Sequence, residues 1–206
     1  LLPATFEKLN NHWFGYTPFS RNPSITNPKN GYVVNTNNKI TDQKYPFNFT
    51  FIWRDTNRYL RANELLASKD VNTSEDMKHY QLDTQSKQAS KLMPILLKHL
   101  SKENQTKYNS IIKSLQNWDY KMNTNSFEAL IYHQWLYVLE QSLFEPLLGD
   151  HWDRIFDVNP NITEIILNNS TKQKNWCNSN DCTNQINKAF ISAIEKLNKL
   201  HGKNFN

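Results

Sequence analysis

Two hydrophobic periodicities divide the chain. Near the start, Pro46 to Trp53 alternates, with Phe47, Phe49, Phe51 and Trp53 on one side and Asn48 and Thr50 on the other. A period of two predicts a half-buried strand. Tyr32-Val33-Val34 is aromatic and β-branched, and predicts another. Asn27-Pro28-Lys29-Asn30-Gly31 ahead of it is turn chemistry, because Pro presets φ and Gly accepts a positive one. Asn35 to Lys44 is polar and turn-like. Leu1 to Lys29 is rich in prolines and aromatics and reads as extended, with His12-Trp13-Phe14-Gly15-Tyr16 at its centre.

From Thr56 onward the period changes to that of a helix. Thr56 is placed to cap a helix carrying Tyr59, Leu60, Leu65 and Leu66, and Thr73 to start the next, with Glu75-Asp76 in its first turn where the helix dipole favours negative charge. Gln88 to Leu100 predicts a third helix, kinked or restarted at Pro94. Tyr108, Ile111, Ile112, Leu115 and Trp118 recur at helical spacing. Ser126 caps a long helix through about Leu143 whose run ALIYHQWLYVL is apolar almost all round, so it must be buried on several sides. Short helices are expected at Trp152–Asp157 and Pro160–Asn168. Thr183 is expected to cap a last one with the stripe Ile186, Ala189, Phe190, Ala193, Ile194, Leu197 and Leu200, ending at Gly202. The expected fold is mainly α with a small β segment near the N-terminus (α+β): a β-rich segment over residues 1–55 and a helical subdomain of six or seven helices over 56–206.

Composition refines this picture. Apolar residues make up only 38% and mean hydropathy is −0.74, but aromatics reach 13% with six Trp, which marks a folded chain with a polar surface. The net charge of +5 comes from scattered Lys and Arg, with no like-charged run of the kind a nucleic-acid binder concentrates on one face. No run approaches the roughly eighteen apolar residues of a membrane span, and no segment reads as a targeting signal. Nucleic acid and membrane are therefore not expected partners. Cys177 and Cys182, in WCNSNDCT, are spaced for a disulfide across a short loop and lack the second Cys or His pair of a zinc site. A disulfide implies an oxidising compartment, so a periplasmic or secreted location is expected.

Most chemical motifs are missing. Four glycines do not make a phosphate-cradling loop, the six histidines are far apart, and no G-x-S-x-G elbow occurs. The acids Glu75-Asp76 are explained by a helix start; Asp150 and Asp153 are a second acidic pair. What remains is Asn37-Asn38 with Arg58. A side-chain amide can donate to a developing oxyanion, a bond worth about 3 kcal/mol of barrier, and an arginine can fix a carboxylate or hold the asparagine loop. Paired asparagines in a turn and an arginine at a helix start are also ordinary features with no catalytic meaning.

The order of features carries more. Trp13, Gly15 and Pro18 are followed by Asn27-Pro28 and Gly31-Tyr32-Val33-Val34-Asn35-Thr36-Asn37-Asn38, then by Tyr45-Pro46 and Trp53 with Arg58. Ser74-Glu75-Asp76 comes next with Gln81 and Asp83, then Leu115 with Trp118-Asp119, Ser126 with Ala129 and Trp135, and Trp176-Cys177. In this order the chain resembles the penicillin acylase (penicillin amidase) family of N-terminal nucleophile hydrolases. The resemblance implies a hydrolase of linear amide C–N bonds whose nucleophile, usually Ser, is the first residue of a self-cleaved β-chain activated by its own α-amino group. Asn37 then corresponds to the oxyanion-hole asparagine, with Asn38 the fallback if the register slips by one, and Arg58 to the arginine that positions the site.

Two departures shape the expectation. Leu1 is no nucleophile, so the resemblance implies an interior stretch of the β-chain, inactive alone, with residues 1–55 contributing to the acylase core and 56–206 forming a helical insertion. Its partners would be the α-chain, the rest of the β-chain and a small-molecule acyl amide. The Tyr45-Pro46 loop is shorter than in penicillin G acylases and has only Asn48 where they carry a calcium-binding aspartate. No cofactor is therefore expected here, calcium being reserved for the complete enzyme. Acyl-homoserine lactones or other fatty-acyl amides are alternative substrates, and a non-catalytic helical binding module is the alternative of another class.

Overall fold

The computed structural model describes residues 15–42, 44–47, 50, 53–154, 158–168, 176–177 and 182–202. The chain divides into two compact units, Leu1–Asp70 and Val71–Asn206. The first holds a 3₁₀ turn at Phe19–Arg21, a largely irregular chain, and helix α1 (Asn57–Ala67). Thr56 sits at the N-cap of α1 without a side-chain bond; Asp55 does the work instead, its Oδ1 accepting from the Asn57 N–H at 2.8 Å.

Among the described residues no strand forms. Tyr32–Val34 runs without a ladder partner, and the β-type pairing present is the isolated antiparallel bridge Gln85–Lys121. The β segment expected there is thus not confirmed, since β-propensity expresses how well a residue packs against neighbouring strands and needs such strands to act on. The alternating run lies partly outside the described residues (Asn48, Phe49, Phe51, Ile52), as do His12, Trp13 and Phe14 of the aromatic segment.

The second unit is helical: α2 (Ser74–Gln81), α3 (Lys87–Lys98), α4 (Lys102–Lys107), α5 (Asn109–Gln116), α6 (Phe127–Leu148), α7 (Pro160–Asn168) and α8 (Thr183–His201). Local chemistry sets their starts. Thr73 and Asp76 form a reciprocal capping box, and the hydroxyls of Ser86, Ser101 and Ser126 each accept from a backbone N–H in the first turn of α3, α4 and α6. Pro94 lies inside α3 and does not end it. The pattern from Tyr108 to Trp118 is broken at Tyr108, which separates α4 from α5, and Trp118 lies beyond α5. A 3₁₀ segment, Gly149–Arg154, takes part of the short helix expected at 152–157, whose residues 155–157 fall outside the described chain.

Helix α6 is the centre of this unit. It buries Ala129, Ile131, Tyr132, Trp135, Leu136, Leu139, Leu143 and Phe144. Along it packs α8 with Ile186, Ala189, Phe190, Ala193, Ile194 and Leu197. Trp135 joins the two: its ring centroid is 4.7 Å from that of Phe190, and its Nε1 donates to the Ile186 carbonyl at 3.1 Å. The polar end of an otherwise apolar side chain is thus satisfied in the core, as burial requires. Helix α8 starts at the disulfide: Cys177 and Cys182 are joined with Cα atoms 5.1 Å apart, and Cys182, not Thr183, occupies the N-cap, with no side-chain bond.

Polar contacts fix the outer helices. Asn187 of α8 uses its whole amide. Its Oδ1 accepts from Ser101 N and Asn104 Nδ2, both at 2.8 Å, and its Nδ2 donates to His99 O at 2.8 Å and Thr183 O at 2.7 Å. One side chain therefore ties the end of α3 and the start of α4 to α8. Glu128 does the same for α5 and α6, accepting from the Ser114 and Ser126 hydroxyls. Burial works against its charge, but these bonds and its own backbone N–H outweigh burial and lower its pKa below the ordinary 4.5.

Asn187→Ala leaves the buried Asn104 amide without this partner and removes the bonds to Ser101, His99 and Thr183, and should cost about 1–3 kcal/mol, read from denaturant unfolding. For Glu128, a lowered folded pKa means stabilisation that is complete above 4.5 and lost as pH falls through the folded value. The stability gap between wild type and Glu128→Gln should therefore be constant at neutral pH and shrink on acidification below 4.5, measured as unfolding midpoints across a pH series.

Candidate functional site

The turn Asn35–Asn38 and the start of α1 meet within the first unit. The chain enters through the expected turn, with the Gly31 N–H bonded to Pro28 O at 2.9 Å and Gly31 at φ +77°. Six residues later Asn37 takes φ +65°, a left-handed conformation that Asn tolerates better than any branched residue. Its N–H donates to Asn35 Oδ1 at 3.0 Å, and its carbonyl accepts from the Arg54 N–H at 3.0 Å.

Arg58, the second residue of α1, reaches back across this turn. Its Nη2 donates to Thr36 O at 2.7 Å and to Asn37 Oδ1 at 3.0 Å. A guanidinium has donors and no acceptors, so the face of the Asn37 amide turned to it must be the oxygen. Asn37 Nδ2 then points away from Arg58 and makes no hydrogen bond among the described residues. A cation on the amide oxygen also polarises the group and strengthens its N–H as a donor.

Asn38 behaves differently from its neighbour. Only 7% of it is exposed, and its Oδ1 accepts from Thr36 N at 3.1 Å and Thr36 Oγ1 at 3.2 Å. Asn57, beside Arg58, is equally buried. Sequence reading singled out Asn37, Asn38 and Arg58 and gave no role to Asn35, Thr36 and Arg54, which contribute through backbone groups or local turns. The N-T-N-N spacing was the available signal, because Asn side chains bond the backbone two residues on.

The other candidates lie apart from this turn in chemistry. Asp76 is committed to its capping box and Glu75 to Lys78 at 2.9 Å. Asp150 and Asp153 are exposed on the 3₁₀ segment. Among the described residues no group of three or more His, Cys, Asp or Glu side chains is placed to hold a metal, and no helix is long and apolar enough to cross a membrane. Asn48 lies outside the described residues.

Taken together, the described residues form a mainly helical, disulfide-bearing chain in which Arg58 holds the Asn37 amide on a left-handed turn. The family model for penicillin amidase matches residues 1–206, and the chain belongs to that family. Among curated proteins it is similar to penicillin G acylase of Escherichia coli, 37% identical over 59 residues. That match covers 28% of this chain and 7% of the acylase, so the chain corresponds to a small part of the length of that relative.

Asn37→Val should strain the left-handed turn by about 1–2 kcal/mol, whereas Asn37→Gly should not. Amide hydrogen exchange at Arg54, whose N–H bonds Asn37 O, should accelerate roughly tenfold in the valine variant and stay near wild type in the glycine one.

Proposed function

We propose that this chain supplies the oxyanion donor of an amide hydrolase whose nucleophile lies outside it. The reading is supported by family membership and carried by one observation: around Asn37 the N–H, the carbonyl, Oδ1 and the preceding carbonyl are all bonded, and Nδ2 is the group left to donate. The N-terminal nucleophile, Ser in this reading, attacks the carbonyl carbon of an acyl amide while its α-amino group takes the hydroxyl proton. Negative charge collects on the carbonyl oxygen, and Asn37 Nδ2 donates to it. Collapse expels the amine, which takes up the proton, and water then hydrolyses the acyl-enzyme. Arg58 positions the site by holding Asn37 Oδ1, so that the amide need not rotate as charge develops.

The remaining acylase, an α-chain and the rest of the β-chain, completes the machinery in this reading. Residues 1–55 contribute to its core and 56–206 form a helical insertion. The buried disulfide supports a periplasmic or secreted setting.

The 206-residue chain alone should not hydrolyse a phenylacetyl or fatty-acyl amide; turnover would overturn the external nucleophile. In the complete acylase, Asn37→Gly keeps the turn and removes the donor, and kcat should fall roughly 100- to 1,000-fold with little change in KM. Comparing phenylacetyl with long-chain acyl substrates in the same assay separates the substrate classes.

A further inference from the structure

We infer that Asn38 is a positioning residue for the donor amide of Asn37; this rests on the oxyanion reading above. The two asparagines are adjacent in sequence and opposite in environment. Asn37 is exposed at φ +65°, and Asn38 is 7% exposed. The Asn38 amide brackets its neighbour. Its Oδ1 accepts from the Thr36 N–H and hydroxyl on one side, and its Nδ2 donates to Lys39 O at 3.3 Å on the other. Closing residue 36 onto residue 38 in this way bends the chain at the residue between them.

A left-handed residue other than glycine is held only by contacts that outweigh its strain. Here the contacts are divided. Arg58 grips the Asn37 oxygen and sets the rotation of its amide. Asn38 closes the backbone from which that side chain departs. Losing the Asn38 oxygen removes the partner of the part-buried Thr36 N–H and hydroxyl, and with it the closure of residue 36 onto residue 38. A donor has to be held within about half an ångström of its working position to be effective, so a relaxed turn weakens donation without touching the groups that bind substrate.

The test is made in the complete acylase with Asn38→Ala, Asn38→Asp, Asn37→Gly and the Asn37→Gly/Asn38→Ala double variant. Aspartate keeps the oxygen that Thr36 needs. Asn38→Ala should lower kcat about 10- to 100-fold with KM within about twofold, and Asn38→Asp should restore most of it. In the Asn37→Gly background the alanine change should have no further effect, because its route of action is gone. An unchanged kcat in Asn38→Ala, or a full loss on top of Asn37→Gly, overturns the inference. If the alanine variant does not fold, Asn38→Asp carries the test, and a loss as deep as that of Asn37→Gly overturns it. A normal kcat in Asn37→Gly itself removes the oxyanion reading and the role of Asn38 with it.

Discussion

A helix that is apolar on nearly every side has to be enclosed, and α6 imposes that requirement on the whole second unit. Trp135 and Tyr132 are fully buried within it, and truncating a buried aromatic of this size costs about 3–5 kcal/mol. No single neighbour covers such a helix. The stripe of α8 lies along it, the 3₁₀ segment after Gly149 folds back against it, and Trp118 and Trp176 pack on Tyr132 and Phe144 at 5.7 and 5.4 Å between ring centroids. The disulfide then secures the start of α8 where no side chain caps it.

Apolar enclosure is not directional, so the register of the surrounding helices rests on polar side chains. Asn187 is the clearest case, since four hydrogen bonds from one amide allow only one arrangement of the ends of α3, α4 and α8. Thr163, fully buried on α7, donates to Glu140 of α6 at 2.7 Å and fixes that pair in the same way. Such bonds contribute about 1 kcal/mol each when made and cost more when one partner is removed, which is why they specify a packing more than they strengthen it.

The turn in the first unit follows the same logic on a smaller scale. Three side-chain amides, an arginine and an N–H at the approach to α1 determine one backbone conformation, and they leave the side-chain NH2 of Asn37 unspent. Arg58 matters for its geometry as much as for its charge. One nitrogen serves two oxygens of successive residues, which couples the direction of the Asn37 side chain to the path of the chain before it. A lysine would bring the charge without the planar fork that directs it.

Much of the helical unit was legible in the sequence because its causes are local. Capping hydroxyls at Ser126 and Thr73 and the stripe of α8 act within a few residues, and the cysteine spacing permits only a short loop. Asn37 and Arg58 could be picked out by residue type and by the order of motifs. Whether Arg58 fixes a carboxylate or holds the asparagine loop was not legible, since the choice joins residues separated by a turn and a helix start. The strand expected at Tyr32–Val34 is not confirmed for the matching reason: a strand is completed by a partner, and no local pattern supplies one. The sequence by itself determined where the helices capped by Thr73 and Ser126 begin, which face of α8 is buried and which side chains carry amide donors. Only the tertiary structure decided which of two adjacent asparagines faces outward, because that choice depends on hydrogen bonds from Thr36 and Arg58, whose positions are set by the folded chain.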